Sequence, residues 1–216
     1  QFPGIYLVMS VVNSILLSML VIGSTRRGWG LVFPIALAYY AVSSFLVGLE
    51  AVYLSDLLPE EVVQSIFVNG AISALIVSIV AVALHGKLKP MEGERPAAES
   101  LRGGWGWLWR LPLAGFLYLL LFILVGQVVF QPLARFLDPV QGPAYIDSFQ
   151  VENPGMILAF QWARGAFWAL VSLPLVACLT GSRIKMGLLL GAFFGLVMGL
   201  QILVPSDIPP LVRIAH

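Results

Sequence analysis

Residues 184–204 read IKMGLLLGAFFGLVMGLQILV, a run whose only charge is Lys185 and whose only amide is Gln201. About 20 such residues, coiled as a helix, cross a hydrocarbon core of roughly 30 Å. Gly187, Gly191, Gly195 and Gly199 recur every fourth position along it. In lipid there is no hydrophobic pull between helices, so small residues matter because they let two backbones approach and gain dispersion contacts. Each four-residue step advances about 400° around a helix, so the glycines trace a slanted stripe. The expectation is a close-packed seam against another helix of the same bundle, with contact to a second copy as the alternative.

Five further runs are long and apolar enough to span: Ile5 to Gly23, Leu31 to Leu54, Val62 to Leu84, Leu111 to Phe130 and Gly155 to Thr180. The whole chain is 59% hydrophobic and 11% charged, against roughly a quarter charged in soluble domains. The runs lack the period-2 alternation of membrane barrels. The fold class is therefore all-α, a polytopic transmembrane helical bundle of about six spans, with the lipid bilayer as its solvent. The run from Ile5 exceeds the apolar core of a cleaved signal peptide and reads as a span.

Lys and Arg are retained on the cytoplasmic side of a membrane. Arg26, Arg27, Lys87, Lys89, Arg95, Arg102, Arg110, Arg183 and Lys185 follow spans one, three and five, whereas the opposite side holds Arg135 and Arg213. This asymmetry predicts cytoplasmic loops after spans one, three and five, extracytoplasmic termini, and residence in a cell (inner) membrane. The connection 85–110 divides the sequence into a three-helix half at 1–84 and a second at 111–216 that ends in a short outer tail. Within the connection, Trp105, Trp107, Trp109 and Arg110 are expected to anchor at the headgroup level.

Ionisable groups inside a span mark functional candidates, because a charge there costs a few kcal/mol or more. Glu50 and Arg164 are the two here, and they could meet if spans two and five are neighbours. Asn13, Asn69, Gln127, Gln161 and Gln201 add hydrogen-bonding groups toward the outer halves of the spans. Gln161 and Arg164, three apart, share a helix face; Trp162 and Trp168 are expected on other parts of that helix. Pro34 reads as a first-turn proline of span two, and Pro174 as a kink inside span five.

No His-Glu-x-x-His, Gly-x-Ser-x-Gly or phosphate-binding loop occurs, and His85 and His216 fall outside the spans. The sequence thus gives no reason to expect a catalytic residue, metal or cofactor. The net charge of +1 gives none to expect a nucleic-acid partner. Two readings follow. The chain is a non-catalytic membrane subunit or scaffold that packs on itself, a membrane-protein partner or lipid; alternatively, it is a small-solute transporter or binding subunit with an outward polar site around Glu50 and Arg164.

Overall fold

The computed structural model describes residues 3–54, 60–89, 104–132, 136 and 154–201. Its helices are α1 (Pro3–Ile22), α2 (Trp29–Tyr40), α3 (Leu46–Leu54), α4 (Glu60–Leu84), α5 (Gly104–Val125), α6 (Pro154–Cys178) and α7 (Arg183–Gln201). A π-helical turn, Ala41–Phe45, joins α2 to α3 into one passage, and a second, Gly126–Phe130, extends α5. The chain is an all-α, multi-pass membrane protein; among the described residues six helices are long and apolar enough to span. The described residues form two compact units, one made of α1 to α4, α7 and the end of α6 from Val171, the other of α5 and α6 as far as Leu170.

In the first unit α2 packs on α4 and α1 on α7, and Leu20, Val21, Ile35, Val82 and Phe193 are fully buried. Span two begins at Trp29 rather than Leu31, so Pro34 stands in the second turn and not the first. A proline there cannot donate to the carbonyl four residues earlier. That carbonyl, Gly30 O, instead accepts from the thiol of buried Cys178 at 3.5 Å. The lone cysteine thus fills a vacancy that a proline in another helix creates. α6 itself runs as one assigned helix through Pro174 to Cys178.

The loops after spans one, three and five are stitched together in this unit. Ser24 and Leu179 form an antiparallel bridge, in which Thr25 N–H donates to Cys178 O and Thr180 N–H to Gly23 O, each at 3.0 Å. α4 ends in a glycine cap. Gly86 takes φ 65°, which an L side chain resists, and the N–H groups of Gly86 and Lys87 return to Ala83 O and Val82 O. The turn delivers the Lys87 ammonium to the end of α1, where it donates to Val21 O at 2.7 Å and Ser24 O at 2.6 Å. Val21 O, in the last turn of α1, otherwise accepts only a long bond from Ser24 N–H at 3.3 Å among the described residues, and a cation suits the negative end of the helix dipole. Desolvation, and then the nearby Arg27 charge, hold the Lys87 pKa below its ordinary value.

Among the described residues, nothing packs against the glycine stripe of α7 as the expected seam would require. A Cβ added at Gly187, Gly191, Gly195 or Gly199 would meet nothing within 4 Å among the described residues. The opposite, bulky face of α7 does the internal packing, with Phe193, Phe194 and Val197 buried. Close approach occurs at other glycines. A Cβ at Gly48 would lie 2.7 Å from Phe67 Cζ, and one at Gly70 would overlap the Ser44 side chain.

The second unit repeats that device. A Cβ at Gly115 would stand 2.5 Å from the carbonyl oxygen of Trp162, and one at Gly165 would overlap Tyr118 and lie 3.1 Å from Gly115 Cα. Trp162 also donates through Nε1 to Pro112 O at 3.2 Å. Helix α5 starts at Gly104, so the Trp-rich segment is its first two turns and not a separate lead-in. Arg110 rests over Trp107, with its guanidinium carbon 5.1 Å from the ring centre, and 5.8 Å from that of the exposed Trp109. The side chain of Trp105 lies outside the described residues.

A candidate polar groove between the second and third spans

Helix α4 carries Glu61, Ser65, Asn69 and Ser73 at steps of four, which places them on one face over roughly 18 Å of helix. Opposite them, span two supplies Tyr39 from α2 together with Ser43 and Ser44 from the π turn. A π turn holds one residue more than an α turn and is often found at functional positions. Here Leu46 N–H reaches back five residues to Ala41 O. The result is a surface groove with a volume of about 670 Å³, lined by these seven polar residues and by Val47, Val62, Ile66 and Gly70.

The lining residues also bond to one another and to α1. The Ser43 and Ser44 hydroxyls are 3.2 Å apart. Asn69 Nδ2 donates one of its two N–H groups to Ser65 Oγ, one turn back on the same helix, at 2.8 Å. Asn13, from α1, donates through Nδ2 to the Tyr39 hydroxyl at 3.4 Å, and its buried Oδ1 has no hydrogen-bond partner among the described residues. Gly70 makes this possible, because its missing side chain is the space that Ser44 occupies. A second groove between α2 and α4 offers a contrast. With a volume of about 510 Å³, it is lined by Phe33, Leu37, Leu75 and Pro174 among others, and Tyr40 brings its only hydroxyl.

Of the residues singled out from sequence, Asn69 lines the groove and Asn13 bonds to one of its walls. Gln161 and Arg164 are both buried in α6, 3% and 5% exposed, and so belong together as their spacing implied. Trp168 is not on another part of that helix. One turn beyond Arg164, its ring lies 5.5 Å from the guanidinium carbon and meets Tyr118 edge-on at 5.3 Å. A guanidinium desolvated against an indole face recovers part of its hydration loss through the ring quadrupole. Gln127 is exposed on the second π turn. Glu50 and Gln201 sit in α3 and at the end of α7, but their side chains lie outside the described residues, as does the pairing expected of Glu50 with Arg164.

The serines and Tyr39 are neither charges nor amides, so nothing in their individual cost in lipid marks them in the sequence. The signal that finds them is the four-residue period of Glu61, Ser65, Asn69 and Ser73, a polar stripe on an otherwise apolar span. Among the described residues no group of three His, Cys, Asp or Glu side chains could hold a metal ion. Comparison of the chain with protein-family models, curated proteins and solved structures finds no match.

Proposed function

We propose that this six-span membrane protein is a non-catalytic binding or transport subunit that takes a small polar solute into the groove between α4 and the α2/α3 passage. The observation that carries this reading is the polar stripe of α4 facing the serines of the π turn. Ligand sites are specified by a few converging polar groups in a cleft of commonly 300–1,000 Å³; the groove has the polar groups and a comparable volume, though it is open along its length. On the distribution of Lys and Arg, its Glu61 end faces outside and the stitched loops face the cytoplasm. The solute site thereby moves from Glu50 and Arg164 to residues of the second and third spans.

Water access tests the reading. Cysteines placed singly at Ser65 and Ser73, in otherwise intact protein in vesicles, should react with a membrane-impermeant thiosulfonate reagent added from outside. A cysteine at Ile72 on α4, which does not line the groove, should resist it. If Ser65→Cys and Ser73→Cys are no more reactive than Ile72→Cys, the groove is dry and the solute reading fails.

One observation favours a second reading, in which the chain is a structural subunit. The outward glycine stripe of α7 has no neighbour among the described residues. Because such a stripe fits another of its own kind, the occupant this reading requires is the α7 of a second copy.

A further inference from the structure

We infer that the group recognised by the groove is an organic ammonium, carried either by a free amine or by the headgroup of a zwitterionic lipid. The inference rests on the solute-binding reading and specifies its chemistry. Glu61 is the only lining residue with a formal charge, and no Lys, Arg or His lines the groove among the described residues. An anion would meet the Glu61 charge there, with no cationic side chain among the described lining residues to draw it in.

The remaining polar groups include hydrogen-bond acceptors. Asn69 gives one amide N–H to Ser65 and keeps its carbonyl oxygen as an acceptor beside its second N–H. The Ser43 and Ser44 hydroxyls, 3.2 Å apart, can turn to accept or to donate. Tyr39 lines the same wall, and an aromatic ring face attracts a cation through its quadrupole. A carboxylate and an aromatic face suit an alkylammonium, whose charge pairs with Glu61 as that of a neutral sugar cannot. A divalent metal is a poorer fit, for want of a second carboxylate in the groove.

Two acidic residues in the first turn of a helix are ordinarily explained by the positive end of its dipole. Here they differ in use. Glu60 accepts from Gln64 at 3.2 Å along the outside of α4, whereas Glu61 lines the groove. Charge placed only for the dipole has no reason to continue as Ser65, Asn69 and Ser73 on one face. The groove is open along its length, with Ser65, Asn69 and Ser73 all exposed, so a headgroup could enter from the lipid as well as a solute from water.

The experiment uses the full chain in nanodiscs of phosphatidylglycerol, titrated with choline and with its neutral isostere 3,3-dimethylbutan-1-ol, with binding read by calorimetry. Choline should bind and the alcohol should not, and Glu61→Gln should weaken choline about tenfold, a change of about 1.4 kcal/mol. Asn69→Leu, on the same stripe, should weaken it as well. Native mass spectrometry supplies the lipid arm: retention of phosphatidylcholine over phosphatidylglycerol, lost in Glu61→Gln, assigns the ammonium to a headgroup. Equal binding of choline and the alcohol, both lost in Asn69→Leu, would overturn the ammonium class while leaving the solute groove standing. Choline binding indifferent to both substitutions, or no binding of either choline or phosphatidylcholine, would also overturn it; the thiol-access experiment judges the groove separately.

Discussion

The four glycines of α7 and the glycines at the helix crossings are the same residue in the same solvent, yet they have opposite surroundings. Along α7 the spacing is regular and every added Cβ would point into open space among the described residues. At Gly48, Gly70, Gly115 and Gly165 there is no period to see, and every added Cβ would strike a neighbour. A regular stripe therefore marks a helix face, whereas a close contact needs a partner residue that the stripe does not name. The neighbours are Phe67, Ser44, Trp162 and Tyr118, side chains or backbone contributed by another helix. What distinguishes a packing glycine is what stands opposite, and that information lies elsewhere in the chain.

The comparison predicts a graded series of substitutions. The largest effect is expected for Gly115→Ala. Its Cβ would sit 2.5 Å from the Trp162 carbonyl oxygen, a backbone atom that moves only if α6 moves. Alanine removes the helix-propensity cost of glycine, about 1 kcal/mol, but overpacking commonly costs 1–3 kcal/mol and occasionally more. With a backbone atom as the obstacle the second term wins, by about 2 kcal/mol. Thermal unfolding in detergent, followed by the fluorescence of Trp162 and Trp168, should show a lower midpoint; an unchanged or raised midpoint would mean that α5 and α6 do not cross there.

Gly48→Ala comes next. The obstacle is Phe67, met at 2.7 Å through Cζ and 2.8 Å through Cε1, and the outer end of a side chain can swing away. The overpacking term should then fall toward the low end of its range and nearly cancel the gain in propensity, leaving a net loss of about 1 kcal/mol or less. The sharper measurement is a double-mutant cycle. Phe67→Leu alone removes contacts, but in the Gly48→Ala background it should also relieve the clash, giving a coupling of about 0.5 kcal/mol or more. Strict additivity would show that the ring and the glycine are not in contact.

How legible all this was differs by level. The six passages could be read from hydropathy, because lipid demands a long apolar helix wherever the chain crosses. Local chemistry was less visible. That Cys178 would serve the carbonyl vacated by Pro34 follows from no periodicity, since it needs α2 and α6 to be adjacent and the helix start to be Trp29. Half of the groove was in plain view, since Glu61, Ser65, Asn69 and Ser73 share a face by spacing alone. The other half depends on the π turn at Ala41–Phe45, which rotates Ser44 relative to an α-helical register and has no composition of its own. The cost of Arg164 in lipid is plain from the sequence, but its contact with Trp168 is an i, i+4 relation that the i, i+3 pairing with Gln161 does not reveal.

The smallest effect, and the one that most sharpens the contrast, is expected at α7. Gly191→Leu adds a large side chain where an added Cβ meets nothing within 4 Å among the described residues. With no overpacking term left, only the propensity gain of about 1 kcal/mol or less survives, so the unfolding midpoint should stay level or rise slightly. If the stripe is instead buried against another helix, whether of this chain or of a second copy, leucine must push the two backbones apart. Those cases separate by two measurements on the same variant. A fall in the midpoint with no change in mass by native mass spectrometry places the partner within the chain and restores the internal seam. Conversion of a wild-type dimer to monomer, with the midpoint of the monomer unchanged, places it on a second copy, as the structural-subunit reading requires. A variant that matches the wild type in both respects leaves the glycine face turned to lipid, where small residues gain nothing from a neighbour, and the subunit reading would then lose the observation that favours it.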